Sequence, residues 1–126
     1  RLRVSNRSSI QESLIGISIP SRGFNALTAS INKDALRTMM SQASGVRRTG
    51  SAALDLAYVA AGRLDAALEL ELAPWDMAAG VLLVQEAGGI ACDLKGGENY
   101  FKTRHIIVAN PKLCPLVLKA ISATTS

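Results

Sequence analysis

Short apolar runs alternate along this chain with longer stretches in which apolar and charged residues recur at helical spacing. Leu14 to Ile19 (LIGISI) is an Ile-rich run stopped by Pro20-Ser21-Arg22-Gly23, the pattern of a buried strand and its turn. From Leu27 to about Ala43, the residues Leu27, Ile31, Ala35, Met39 and Met40 recur at helical spacing with Lys33, Asp34 and Arg37 between them. That spacing predicts an amphipathic helix lying on one face of a sheet. Gly45 to Arg48 (GVRR) predicts a short strand. Thr49-Gly50-Ser51 then leads into an Ala- and Leu-rich helix that stops at Gly62.

Leu68, Leu70 and Leu72 alternate with Glu69 and Glu71. A period of two predicts a strand with its leucines on a core and both carboxylates together on a polar face. Asp76 to Ala87 is apolar nearly all round apart from Gln85 and Glu86, which predicts a helix buried among other elements and ended by Gly88-Gly89. Ile90 to Leu94 (IACDL) and His105 to Asn110 (HIIVAN) read as two more strands around a glycine-containing loop. Pro111 can open a last helix from Leu113 to Ile121. The alternation predicts one α/β domain, a layered mixed sheet of about five strands flanked by helices, with no internal repeat or low-complexity linker.

Composition narrows this only a little. A chain of 126 residues suits one core, and although 48% of it is hydrophobic, no apolar run approaches the roughly 20 residues of a membrane span, so a soluble protein is expected. Arg1 rather than Met opens the sequence, which reads as a cut end, and no signal segment follows it. Cys92 and Cys114 sit in apolar stretches without metal-type spacing, so they read as buried free thiols in a reducing, cytoplasmic compartment. The charge of +4 comes from 14 basic against 10 acidic residues. The basic residues are dispersed apart from Arg1, Arg3 and Arg7 and the pair Arg47-Arg48, and aromatics are 4%. A solvated surface accounts for that balance better than a nucleic-acid partner does.

The lone histidine, His105, borders an apolar strand and reads as structural, and there is no Ser-His-Asp spacing, Cys-His pair or P-loop. What remains is a set of carboxylates near helix starts and strand ends, Glu69, Glu71 and Asp76, with the small-residue turn Gly50-Ser51-Ala52. Gly50 allows backbone conformations or approaches closed to other residues, and the amides of the following helix could receive a polar ligand; Ser51 could equally serve only as a cap. Asp76 stands at a helix start, where capping and the macrodipole explain a carboxylate. Pro74 and Trp75 beside it, and Glu69 nearby in sequence, leave open a second reading as a ligand for a hard cation such as Mg2+.

The stretch Gly50 to Gly89, GSAALDLAYVAAGRLDAALELELAPWDMAAGVLLVQEAGG, closely resembles the C-terminal half of the inositol monophosphatase family. The family's W-D-x-A-A-G signature is matched by Trp75-Asp76-Met77-Ala78-Ala79-Gly80, and its V-x-E-A-G-G ending by Val84 to Gly89. More loosely, LRVSNRSSIQESLIG is similar to the segment entering that half and HIIVANP to its last strand, so the resemblance spans essentially the whole chain, bacterial members being the nearest in style.

The resemblance implies Mg2+-dependent hydrolysis of a phosphate monoester, typically myo-inositol phosphate, by metal-activated water and without a phosphoenzyme. It implies a metal-ligand role for Asp76 within the substrate site, hydrogen bonding of Glu69 to inositol hydroxyls, and contact of Gly50, Ser51 and Ala52 with the substrate ring. The phosphate is then held mainly elsewhere, which replaces the phosphate site suggested by the helix start at Gly50-Ser51. No family role falls on Glu71. The family's D-P-x-D-G-T motif, which supplies most metal ligands and positions the water, does not occur between Arg1 and Ser126, so the main catalytic residues are unassigned here. The implied reading is a C-terminal subdomain, residues 1–126, inactive alone, from an enzyme that is commonly a homodimer. Related lithium-sensitive phosphatases acting on fructose bisphosphate, a nucleotide bisphosphate or histidinol phosphate, and a binding protein contacting RNA or transcription machinery, are the alternatives.

Overall fold

The computed structural model describes residues 2–18 and 33–122. Ile19, the Pro20 to Gly23 turn and the predicted helical positions 27–32 lie outside the described residues. A 3-10 turn, Ile10–Glu12, leads into strand β1, Leu14–Ser18. Helix α1, Lys33–Gln42, precedes β2, Gly45–Arg47, and α2, Ala52–Ala60, precedes β3, Ala66–Glu69. Helix α3, Pro74–Glu86, is followed by β4, Ile90–Cys92, then by the short α4, Tyr100–Thr103, by β5, Ile106–Ala109, and by α5, Cys114–Ser122.

The five strands form one mixed sheet in the order β2-β1-β3-β5-β4. β1 is parallel to β2 and β3, whereas β5 runs antiparallel to β3 and β4. Side chains alternate across it as a pleat requires. Ile15, Ile17, Ala66, Leu68, Cys92, Ile107 and Ala109 meet Leu36 and Met39 of α1 and Leu113, Val117 and Ile121 around α5. Ala67, Ala91, Ile106 and Val108 meet Leu56, Val59 and Ala60 of α2 and Met77, Val81 and Val84 of α3. The result is three layers, helices on both faces of the sheet, and it explains why strands such as IIVA are apolar at every position: both faces are covered.

β1 therefore leaves through α1 on one face to reach β2, and the chain returns through α2 on the other face to β3, on the far side of β1. The carboxyl ends of β1 and β3 flank the point where the order reverses, the place where open α/β sheets form a ligand crevice.

Two expectations change here. The alternating segment does not keep its parity: Leu68 and Leu70 belong to one core but Leu72 to the other, and Glu69 is wholly buried rather than sharing a polar face with Glu71. The cause is Glu71, whose φ of 58° is left-handed. The pairing that sets Glu69 opposite Ile106 would bring Glu71 opposite Arg104, yet it is the Leu72 N–H that donates to the Arg104 carbonyl, 2.9 Å. Glu71 is thus one residue inserted in the ladder, a bulge that reverses the faces after it.

Helix α3, for its part, is not buried all round. Met77, Gly80, Val81 and Val84 face the sheet, but Trp75 (75% exposed), Ala78, Ala79 and Leu82 (58% exposed) form an apolar outer face. On its inner face Gly80 permits a close crossing of α2, because a Cβ there would lie 2.1 Å from Leu56 Cδ1 and 2.8 Å from Leu56 Cβ. Gly80→Ala is expected to destabilise the chain by about 1–3 kcal/mol through this overpacking. Urea unfolding reads the loss, and a change below about 0.5 kcal/mol, the usual size of a surface substitution, would mean that the helices are free to part.

Candidate functional site

At the carboxyl edge of β1 and β3, Ser18 and Glu69 stand opposite one another in register. Glu69 points to the α2 side of the sheet, the face of Ala67, and its residue exposure is 0%. Neither of its carboxyl oxygens has a hydrogen-bond partner, and the same holds for Asp55 Oδ2. Asp55, also fully buried, comes from the first turn of α2. It lies over Gly16 of β1, where an added Cβ would sit 3.2 Å from the Asp55 carboxyl carbon. Its other oxygen accepts the Thr49 hydroxyl at 2.7 Å.

Burial, reinforced by the neighbouring Asp55 carboxyl, pushes Glu69 up to about 10; the Ser18 hydroxyl opposes this without making a hydrogen bond of good geometry. Two acid groups sharing a dry site cannot both ionise cheaply. Glu69 therefore keeps its proton over the neutral range and can donate it to its Asp55 neighbour. In chemical character the crevice gathers two carboxyl groups with the Ser18 and Thr49 hydroxyls, groups that suit the hydroxyls of a polyol.

The turn that carries Thr49 continues into Gly50 and Ser51. Gly50 has φ 80° with open space where a Cβ would be, so its conformational freedom is what the turn uses and no close approach is involved. Ser51 is the N-cap of α2, its hydroxyl accepting the Leu54 N–H at 3.2 Å, and with Ala52 it opens the helix beside the Thr49–Asp55 bond.

Asp76 lies on the same edge, in the first turn of α3, but it is not a cap. Ala73 holds the N-cap position without a side-chain bond and Pro74 opens the helix, leaving Asp76 half-buried at the third position. No hydrogen bond or ion pair joins it to Glu69 or Asp55. The fold brings Glu69, Asp55, Ser18 and Thr49 together, and sets Gly50-Ser51-Ala52 and Asp76 at the same edge.

Asp55 was missed in the sequence. Its signal is a single carboxylate inside AALDLAYVAA, four residues after a capping serine, where a buried acid is tolerated only with a partner. His105 is half-buried and its Nδ1 accepts the Glu71 N–H at 3.2 Å, which bears out a structural use.

The family model for the inositol monophosphatase family matches residues 1–126. This chain belongs to that family. Among relatives, it is 45% identical over 121 residues to the Nus factor SuhB of Pseudomonas aeruginosa, covering 96% of this chain and 45% of that protein. It is 42% identical over 126 residues to the inositol-1-monophosphatase of Mesorhizobium japonicum, covering 100% of this chain and 47% of that protein. The crystal structure of extragenic suppressor protein suhB from Bartonella henselae superposes with a TM-score of 0.85 at 42% identity, over 95% of this chain and 45% of that one. This family member thus spans less than half the length of the relatives it matches.

The family is a phosphatase family that generally uses Mg2+, so the fit of the residues to that ion is testable. Among the described residues no group of three or more His, Cys, Asp or Glu side chains could hold a metal. Asp76 would supply one oxygen, and Mg2+ binds through one or two carboxylates only when phosphate oxygens and waters complete its shell. The residues described do not by themselves make a Mg2+ site. The two thiols lie elsewhere, buried between β4 and α5 with their sulfurs 3.5 Å apart, and the Cys114 sulfur with burial pushes Cys92 up. Among the described residues no helix is long and apolar enough to cross a membrane.

Proposed function

We propose that this chain is the C-terminal α/β subdomain of a Mg2+-dependent phosphate monoester hydrolase acting on myo-inositol monophosphate. In this reading Glu69 accepts hydrogen bonds from ring hydroxyls, Gly50, Ser51 and Ala52 line the ring, and Asp76 contributes one Mg2+ ligand at the edge of the substrate site. The observation that carries it is the buried, unpartnered Glu69 carboxyl at the strand-order reversal, in a chain whose relatives include an inositol-1-monophosphatase. Glu69 is closed to solvent in this chain, so a polyol would reach it only if the turns framing the crevice part.

The subdomain assignment is supported by the apolar outer face of α3, Trp75, Ala78, Ala79 and Leu82, which a longer protein would cover. A cytoplasmic homodimer belongs to the same reading. The test is phosphate release: the complete protein should hydrolyse myo-inositol 1-phosphate in Mg2+ faster than fructose bisphosphate, a nucleotide bisphosphate or histidinol phosphate, and the 126-residue chain should release none. Turnover by the 126-residue chain would overturn the subdomain assignment, and preference for another substrate would reassign the enzyme within its phosphatase group.

A second reading follows from the Nus factor names of several relatives. The complete protein would then work by binding transcription machinery or RNA. Binding with a steep salt dependence in a protein without phosphatase activity would favour it.

A further inference from the structure

We propose that Arg104 and His105 are positioning residues of the candidate site: they hold the bulge at Glu71 and so fix where α3 and Asp76 start relative to Glu69. The inference deepens the phosphatase reading and rests on it for its catalytic consequence. Only Leu70 to Ala73 separate the end of β3 from the start of α3, so the course of those four residues decides how the two candidate site residues face the crevice.

That course is held from one place. The Leu70 N–H continues the sheet by donating to the Ser18 carbonyl, 3.0 Å, but the next two amides turn to residues 104 and 105. The Glu71 N–H donates to His105 Nδ1 at 3.2 Å and the Leu72 N–H to the Arg104 carbonyl at 2.9 Å. The Arg104 Nε–H then returns to the Leu72 carbonyl at 3.3 Å. Both ends of this clamp are left-handed at residues other than glycine, φ 58° at Glu71 and φ 66° at Arg104, and such a backbone persists only where surrounding bonds over-determine it. A bulge held this way re-aims the chain beside a site, which is a recurrent use of bulges.

His105 can serve only while Nδ1 is free of a proton. Burial keeps its pKa below the ordinary histidine value; the Glu71 charge and a backbone hydrogen bond with Arg104 oppose this, and the Arg104 charge adds to it. Asp93 and Lys95 line a cavity of about 320 Å³ together with His105, Asn99 and Thr103, the Asp93 carboxylate accepting from the Lys95, Gly97 and Asn99 amides. A histidine with a lowered folded pKa contributes stability that is complete above its unfolded value of 6.5 and declines as pH falls below it. Protonation would set two N–H donors against each other and release the bulge.

The experiment uses the complete protein as wild type, His105→Asn, His105→Ala and Arg104→Gly. The asparagine retains an acceptor near Nδ1, and the glycine keeps the left-handed turn while deleting the guanidinium bond. Hydrogen exchange at the Glu71 and Leu72 amides and KM for myo-inositol 1-phosphate are read at pH 8. His105→Ala should lower protection at Glu71 and raise KM, each by about 3–10-fold, the worth of one hydrogen bond. His105→Asn should restore both. Arg104→Gly should loosen Leu72 more than Glu71. On acidification from pH 8 to pH 6, protection at Glu71 should fall in the wild type and hold in His105→Asn.

Unchanged protection in His105→Ala, or lost protection with unchanged KM and kcat, would overturn the proposal. If His105→Ala does not fold, the Arg104→Gly and His105→Asn comparisons decide it. A wild type without turnover would sink the phosphatase reading and with it the catalytic consequence, whereas the exchange data would still show whether the clamp exists.

Discussion

Replacing Glu69 with Gln should abolish a pH dependence of stability that the 126-residue chain is expected to display. Glu69 is fully buried, and burial with the Asp55 carboxyl raises its pKa to about 10 from the ordinary 4.5. For an acid whose folded pKa is raised, the folded state keeps a proton that the unfolded state has released. Stability is therefore complete below pH 4.5 and is lost as pH rises toward 10, at up to about 1.4 kcal/mol per pH unit. Four such units approach the whole margin of a small domain. Glutamine carries no charge at any of these values and can donate to Asp55, so the variant should lose the fall in stability between pH 7 and pH 9 and be more stable than wild type at pH 8. Urea unfolding at pH 5, 7 and 9 measures both. A flat wild-type profile would show that a donor or water reaches the carboxylate, and the closed crevice described above would be wrong.

Asp76→Asn should cost the complete protein at least about 100-fold in turnover at limiting Mg2+, since even partners one shell removed from a metal cost roughly 10–100-fold. Asparagine keeps the size of the side chain in the first turn of α3 but loses the anionic oxygen that a hard cation requires. The competing effect is small. A carboxylate near a helix N-terminus is worth about 0.3–1 kcal/mol through the macrodipole, and Asp76 is not the cap, so unfolding should change by no more than that. Full rate at low Mg2+ together with a stability loss of that size would return Asp76 to a purely structural role. Glu69→Gln in the same assay should shift substrate preference rather than Mg2+ dependence.

Much of the fold was legible because its signals are local. Strands β1, β4 and β5 stand in short apolar runs bounded by Gly, Pro or polar turns, and α2 is capped by Ser51 and stops before Gly62. Glycines at turns and a capping serine act within a few residues, so sequence reports them faithfully. The four-residue α4 was read as loop, being too short to show a period.

Two of the misreadings share one cause, which is dependence on distant partners. Nothing in LELEL announces that a glutamate rather than a glycine takes the left-handed conformation, because His105 and Arg104, more than thirty residues on, make it tolerable. Without that bulge the period-two reading of Leu68 to Leu72 would hold. In α3 the all-round apolar pattern was right about composition but not about contact, since in this chain only one side of the helix meets the sheet. Pro74 did carry a usable signal: proline favours the first helical position, which places the cap at Ala73 and moves Asp76 inside.

By itself, then, the sequence determined the alternation of strands and helices and, through GSAALDL to VQEAGG, membership of the inositol monophosphatase family. Only the tertiary structure decided that Glu69 is dry and unpartnered beside Asp55, and that the chain between Glu69 and Asp76 is clamped from the start of β5. Periodicity and capping are properties of neighbours along the chain, whereas burial, face parity after a bulge and the raised pKa of Glu69 depend on what β1, α2 and β5 bring across the sheet from far away.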